Sequence, residues 1–359
     1  MIKVLIIDDS ALVRESLKNI LNSAAGIQVI DTAADPYFAR DKIKKLNPDV
    51  ITLDIEMPRM DGLTFLKKLM AYRPIPVIMV SSLTERGASI TLEALRAGAV
   101  DFVTKPTSHV GDGLVEMSDE IVSKVRSAAQ AKLRKKSAAP TFAAEPRVEQ
   151  KVLIDQVLAA TPLKTPRGDT PVVCIGASTG GTVAIEDILL KLPGNTTGIV
   201  VVQHMPGGYT KMFADRLDAI CEMEIVEAES GMAVCPGRAI IAKGGYHLLL
   251  QRSGKGYYVD VKDGPPVNRH KPSVDVLFRS AANAAGENVL GLILTGMGDD
   301  GARGMVDLAS VGAYTVAQDE SSSVVFGMPH TAIERGGVSR ILGLKEMPGI
   351  ILAHMKRFT

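Results

Sequence analysis

Two α/β domains in tandem, each wound around a largely parallel sheet, are what this sequence predicts. Three observations carry the prediction. Short apolar runs recur, among them Lys3 to Asp9, Val50 to Asp54, Val172 to Ile175 and Val289 to Thr295, and they break off at a carboxylate, a hydroxyl or a glycine. Between them lie apolar residues at three- and four-residue spacing, as in helices packed on a sheet. Residues 126–170 lose this alternation, so a linker separates a first domain, 1–125, from a second, 171–359.

Length and charge bound the answer further. The 359 residues suffice for two domains with separate cores, and 41 basic against 40 acidic residues leave a net charge of +1. That balance gives no electrostatic case for nucleic-acid or membrane binding. Cys174, Cys221 and Cys235 show no C-x-x-C spacing, which argues against disulfides and zinc and fits a reducing cytoplasm. No basic-then-apolar leader opens the chain and no apolar run reaches spanning length, so a soluble, cytoplasmic protein is expected.

In the first domain, strands at Lys3–Asp9, Val50–Asp54, Val77–Val80 and Asp101–Thr104 alternate with helical patterns on Leu12 to Leu21, Phe38 to Leu46 and Leu63 to Met70. In a doubly wound sheet, ligands bind at the carboxyl ends of the strands. Asp8, Asp9, Asp54, Ser81 and Lys105 all fall there. Three carboxylates in one cleft repel one another, and a hard cation such as Mg2+ relieves that repulsion while accepting phosphate oxygens. A single acidic strand end is most simply a helix cap; the five together make a phosphoryl site.

This set, with Asp54 followed by Met57-Pro58 and Asp61-Gly62 and with Lys105-Pro106, resembles the flavodoxin-like receiver domain of response regulators. The resemblance implies that Asp54 is phosphorylated and that Asp9, Asp54 and the Glu56 backbone carbonyl hold Mg2+, with Asp8 assisting through water. It also implies that Ser81 and Lys105 read the phosphoryl state, with Phe102 at the aromatic switch position where many receivers carry tyrosine.

Past the receiver, apolar positions from Met117 to Leu133 extend a last helix toward the basic cluster Arg134-Lys135-Lys136, which reads as a solvated helix end. Prolines at 140, 146, 162 and 166 mark the linker. Only Val148 to Ala160 is apolar enough for a short helix that docks on a domain.

The second domain opens with V-V-C-I-G-A-S-T-G-G at 172–181, a buried strand breaking into a glycine-flanked serine and then a helix, Thr182 to Leu192. Gly176 to Gly180 fits the G-x-S-x-G nucleophile turn, but a glycine-rich strand-turn-helix equally suits a dinucleotide phosphate, and a plain βα turn capped by serine fits too. A strand over Gly198–Val202 ends at Gln203-His204, a helix covers Tyr209 to Ile220, and a strand-rich section follows. After a helix over Ser273 to Ala285, the strand Val289–Thr295 ends in G-M-G-D-D-G at 296–301. A mostly parallel, Rossmann-like sheet thus presents serine, histidine and aspartate at three strand ends, the material for a nucleophile, a base and an orienting carboxylate. His270, in a Pro-rich loop, rivals His204 as base; His109, His247, His330 and His354 read as core or surface. A dinucleotide site would want an acidic residue where Gln203-His204 stands, and Tyr258-x-x-x-Lys262 lies on a strand, where it does not mimic a reductase helix. A DNA-binding output would need a basic helix-turn-helix in place of this αβ alternation.

The motifs G-A-S-T-G-G at 176–181, Q-H-M-P at 203–206, G-P-P-V-N-R-H-K-P-S-V-D-V-L-F at 264–278 and G-M-G-D-D-G at 296–301 resemble the catalytic domain of the chemotaxis protein-glutamate methylesterases. That resemblance implies hydrolysis of glutamate methyl esters on methyl-accepting chemoreceptors, with deamidation of receptor glutamines, under control of a chemotaxis histidine kinase. Carried over, Ser178 is the nucleophile, His204 the base and Asp300 the orienting carboxylate, second of the pair with Asp299. Thr179 and Met297 are then oxyanion or cleft residues, and no cofactor is implied in this domain.

Overall fold

In a computed structural model, residues 1–82, 84–105, 112–131, 152–160, 170–254 and 256–356 are described. The chain divides into two compact units, Met1–Thr141 and Phe142–Thr359. His109, the basic cluster at 134–136 and the linker prolines lie outside the described residues.

The first unit alternates β1 (Ile2–Ile7), α1 (Ala11–Ser23), β2 (Ile27–Ala33), α2 (Pro36–Leu46), β3 (Val50–Asp54), α3 (Gly62–Tyr72), β4 (Val77–Ser81), α4 (Glu85–Arg96), β5 (Asp101–Thr104) and α5 (Asp112–Gln130). Its five strands run in the order β2-β1-β3-β4-β5, all parallel. That is the flavodoxin-like order, whose reversal between β1 and β3 opens a crevice at the strand ends. β3 and β4 are buried at every position, because helices cover both faces. The helices start where the sequence offers caps: Ser10, Asp35, Asp61 and Thr84 each accept a backbone N–H of the first turn.

The second unit contains α6 (Ile154–Val157), β6 (Val172–Ala177), α7 (Gly181–Leu189), β7 (Ile199–Gln203), α8 (Tyr209–Asp218), β8 (Glu224–Glu227), β9 (Ala233–Val234), β10 (Arg238–Ile241), β11 (His247–Ser253), β12 (Gly256–Lys262), α9 (Val274–Ala285), β13 (Val289–Ile293), α10 (Ala302–Ser310), β14 (Tyr314–Gln318), α11 (Met328–Glu334), β15 (Arg340–Leu342) and α12 (Met347–Lys356). Seven strands form a parallel sheet in the order β15-β14-β13-β6-β7-β10-β8, and β11, β12 and β9 form a small antiparallel sheet. From β6 the chain winds one way through β7, then returns to β13 on the other side. The switch point therefore lies at the carboxyl ends of β13, β6 and β7. Short α6 belongs to this unit: Ile154 is fully buried against Leu249, Val267 and Val276.

Candidate active site

Three strand ends meet at the switch point of the second sheet. β6 and β7 pair with Ala177 opposite Gln203, so the residues that follow, Ser178 and His204, leave the sheet side by side. Backbone bonds fix the meeting: His204 N–H donates to the Ala177 carbonyl at 3.1 Å, and Ser178 N–H to the Thr295 carbonyl at 3.0 Å. Two glycines make the serine turn possible. Gly180 has φ +79°, and a Cβ on Gly296 would come within 2.8 Å of the Ser178 Cβ. Thr179 shares the turn of Ser178, and the turn that leads from Gly296 to Met297 lies against it.

His204 and Asp300 are joined by a 2.7 Å contact from Nε2 to Oδ2. The other ring nitrogen, Nδ1, is buried and has no hydrogen-bond partner among the described residues. An imidazole held at one nitrogen and free at the other is what a general base requires. Asp299, the other member of the pair, points elsewhere and meets Arg335 at 3.3 Å. The turn glycines Gly298 (φ +85°) and Gly301 (φ +90°) set this divergence. His270 is not placed as an alternative base but as a neighbour, stacked on His204 with ring centroids 3.7 Å apart. His247 and His354 are buried and bonded to the carbonyls of Pro265 and Asn288, as core histidines.

Asp300 is 1% exposed and saturated with donors. Besides His204 it accepts from Asn268 Nδ2 (3.0 Å), Ser273 Oγ (2.7 Å), Val274 N–H (2.7 Å) and Asp275 N–H (3.3 Å). The last three lie at the start of α9, whose N-cap Ser273 makes no side-chain bond within its own helix. Asp300 therefore caps α9 from outside, where free N–H groups and the helix dipole favour an anion. Burial pushes its carboxyl up, but the His204 hydrogen bond and charge, His270 and Asn268 outweigh it and hold the group well below the usual range. Asp275 shows the converse: burial first, then the charge of Asp300, pushes it up to about 7. Gln203 completes the site, its Nε2 donating to the Ser178 and His204 carbonyls at 3.0 and 3.2 Å. Asn268, Ser273, Asp275 and Gln203 carry no sequence signal of this role, since their partners are remote side chains or backbone atoms.

In the first unit, Asp8, Asp9 and Asp54 offer ligand atoms within 4.8 Å of one another. Asp8 and Asp54 are 1% exposed, while Asp9 faces solvent. Lys105 Nζ lies 2.7 Å from Asp54 Oδ2 and 3.2 Å from Asp8 Oδ2, oxygens that otherwise lack a hydrogen-bond partner among the described residues. Burial pushes Asp54 up to about 6, with Lys105 opposing and the Asp8 charge adding to it. The Glu56 N–H donates to Asp54 Oδ1 at 3.3 Å. Ser81 is fully buried, its hydroxyl bonded to Thr91 Oγ1 at 2.9 Å, which ties it to α4. Phe102 is 2% exposed, with Lys124 4.9 Å from the centre of its ring.

Both units match known protein families. Residues 173–351 match the model of the CheB methylesterase family, and residues 4–111 that of the response regulator receiver domain. A protein-glutamate methylesterase/protein-glutamine glutaminase of Geobacter metallireducens is 54% identical over 97% of this chain and 94% of its own. One from Xanthomonas oryzae pv. oryzae is 54% identical over 98% of this chain and 100% of its own. The crystal structure of the Thermotoga maritima CheB methylesterase catalytic domain is 37% identical, covering 51% of this chain and 98% of that one at a TM-score of 0.50. With a receiver at its front and this serine, histidine and aspartate at the switch point of its second sheet, the chain belongs to the protein-glutamate methylesterase/protein-glutamine glutaminase family.

Proposed function

We propose that this protein hydrolyses glutamate methyl esters on methyl-accepting chemoreceptors, and deamidates receptor glutamines, with Ser178 as nucleophile under control of phosphorylation at Asp54. The observation that carries the reading is the His204–Asp300 bond beside a serine held in a glycine turn. Ser178 Oγ attacks the ester carbonyl carbon while His204 takes its proton at Nδ1. The backbone N–H groups around Thr179 and Met297 hold the oxyanion. Collapse expels methoxide, which receives the proton from His204 and leaves as methanol. Water, deprotonated by His204, then attacks the acyl-serine, and His204 returns that proton to Ser178 Oγ as the bond to the glutamate breaks and the carboxylate leaves. Asp300 remains ionised throughout, since its donors keep its carboxyl low.

Three carboxylates within reach of one ion, two of them bearing under-satisfied buried oxygens, fit a hard divalent cation. Asp9, Asp54 and the Glu56 carbonyl would hold Mg2+, with Asp8 behind them. Bound there, the ion offsets the charge of Asp54 and of an incoming phosphoryl group. Lys105 pairs with that group, and the Ser81 hydroxyl, which accepts from Thr91 and donates to the Ser82 carbonyl, must turn its O–H away from that carbonyl to reach it. A chemotaxis histidine kinase supplies the phosphoryl group in the cytoplasm. No helix among the described residues is long and apolar enough to cross a membrane.

Methanol release from methylated receptor membranes tests the reading. Ser178→Ala and His204→Ala should each lose about 10⁴-fold in turnover, and the double variant should be little worse than either. Retained release by Ser178→Ala would exclude it as nucleophile.

A further inference from the structure

The matched esterase region begins at residue 173, yet residues 152–160 are bound into the same unit by a buried side chain, ion pairs and hydrogen bonds. Ile154 is fully buried. The Asp155 carboxylate pairs with Arg279 at 2.5 Å and also with Arg303. Arg279 Nη1 donates to the Leu158 carbonyl at 3.1 Å, and Asn283 Nδ2 to the Ala159 carbonyl at 3.0 Å. Arg279 and Asn283 stand at successive four-residue steps after Asp275, on one face of α9. The segment therefore lies along the helix whose start Asp300 caps.

Its other end reaches the site. The Val152 carbonyl accepts from Asn268 N–H at 3.1 Å, and Val267 packs in the cluster around Ile154. Asn268 and Arg269 have φ of +51° and +71°. Two successive non-glycine residues in the left-handed region persist only where their surroundings hold them. Here Val267 and His270 close the turn with reciprocal backbone bonds of 3.1 and 2.9 Å, and the Val152 carbonyl anchors it from one side. On the other, Asn268 Nδ2 donates to Asp275 Oδ2 at 2.6 Å and to Asp300 Oδ1 at 3.0 Å. The same loop carries His270, stacked on His204. One short loop thus rests on the 152–160 segment and touches both the base and its orienting carboxylate.

We propose that residues 152–160 are a strap that positions the Asp300–His204 pair through Asn268, so that the working catalytic unit begins at residue 152, within the connection from the receiver. Asn268 is a positioning residue; it touches Asp300, not the ester. The inference rests on Asp300 being the orienting carboxylate.

The test uses the full chain. Asn268→Gly removes the amide while keeping the left-handed backbone and its bond to Val152. Ile154→Ala with Asp155→Ala loosens the strap, and Asp155→Asn alone, at a half-exposed side chain, is the milder version should the double variant fold poorly. Steady-state methanol release is measured for each and for all three changes together, with thermal unfolding recorded alongside. We expect kcat to fall about thirtyfold in Asn268→Gly and about tenfold in the strap variant, with KM unchanged, because small misplacement of catalytic groups has effects of this size. The combined variant should be no slower than Asn268→Gly, since both act through one bond. A strap variant with the parent kcat, a change confined to KM, or losses that multiply would overturn the proposal. Asp300→Asn is run beside them: if it is inactive and the strap variants are not affected, only the strap falls; if it is fully active, the triad falls and the strap with it.

Discussion

Asp54 in the receiver and Asp300 in the esterase are buried to the same degree, each 1% exposed at the end of a parallel strand or in the turn after one, yet their chemistry is opposite. Asp300 accepts from His204, Asn268, Ser273 and the first two N–H groups of α9. Asp54 accepts from the Glu56 N–H, and Lys105 and its fellow carboxylates Asp8 and Asp9 stand beside it. One carboxyl is held below its ordinary range and the other is pushed up to about 6. Burial by itself settles neither. The supply of donors separates a carboxylate that serves as a fixed support from one that remains reactive toward a cation and a phosphoryl group.

The same amide substitution at the two positions is the strongest way to break this comparison. Asp300→Asn should lower methanol release by about 10³- to 10⁴-fold, because an amide cannot orient and charge-balance the imidazole. Asp54→Asn should leave the unphosphorylated rate within about twofold, since it lies outside the chemistry. Comparable losses in both would erase the distinction.

Next in size is the response to a phosphodonor. With Mg2+ present, a small-molecule phosphodonor should raise turnover of the intact protein by about tenfold, which needs only about 1.4 kcal/mol of bias between two states. Asp54→Asn should show no rise, and chelation of the metal should abolish it in the parent. A rise that survives chelation would remove the cation from the receiver site.

Stability sharpens the contrast at a finer scale. Asp54 has a folded value of about 6 against an ordinary 3.8, so its contribution is fully present below the lower value and is lost as pH rises through the higher one. Asp54→Asn should therefore stabilise the receiver at pH 7.5 by on the order of 2 kcal/mol in metal-free buffer, with the gap closing near pH 4. Thermal unfolding at the two pH values measures it; a gap independent of pH would mean that packing, not charge, is responsible. The smallest effect belongs to Asp299, whose partner is the half-exposed Arg335. Asp299→Asn should change turnover by less than about twofold.

Much of this arrangement was legible from residues alone, for physical reasons. The strands β1, β3, β4, β6, β7 and β13 are covered on both faces and so appear as unbroken apolar runs. β2 gives a weaker signal because it is an edge strand whose inner positions are only half-buried, and α4 because its first five residues, Glu85-Arg86-Gly87-Ala88-Ser89, hold no large apolar side chain. Ser178, His204, Asp300, Asp54 and Lys105 stood out through their places at strand ends. The donors around Asp300 did not: Asn268, Ser273 and Asp275 precede it by 32, 27 and 25 positions and meet it only in three dimensions. The choice between Asp299 and Asp300 also depends on backbone angles at Gly298 and Gly301, which no periodicity encodes.

The capping of α9 by Asp300 has a consequence for how the enzyme comes into being. Val274 finds its partner 26 residues further along the chain, so a growing polypeptide already displaying Ser178 and His204 still has a bare helix start. Leaving such a start uncapped costs about 1 kcal/mol. The carboxylate that closes the helix is the one that orients the imidazole. A nascent chain that ends before Asp300 therefore lacks the helix cap and the orienting carboxylate together, and gains both in one docking event.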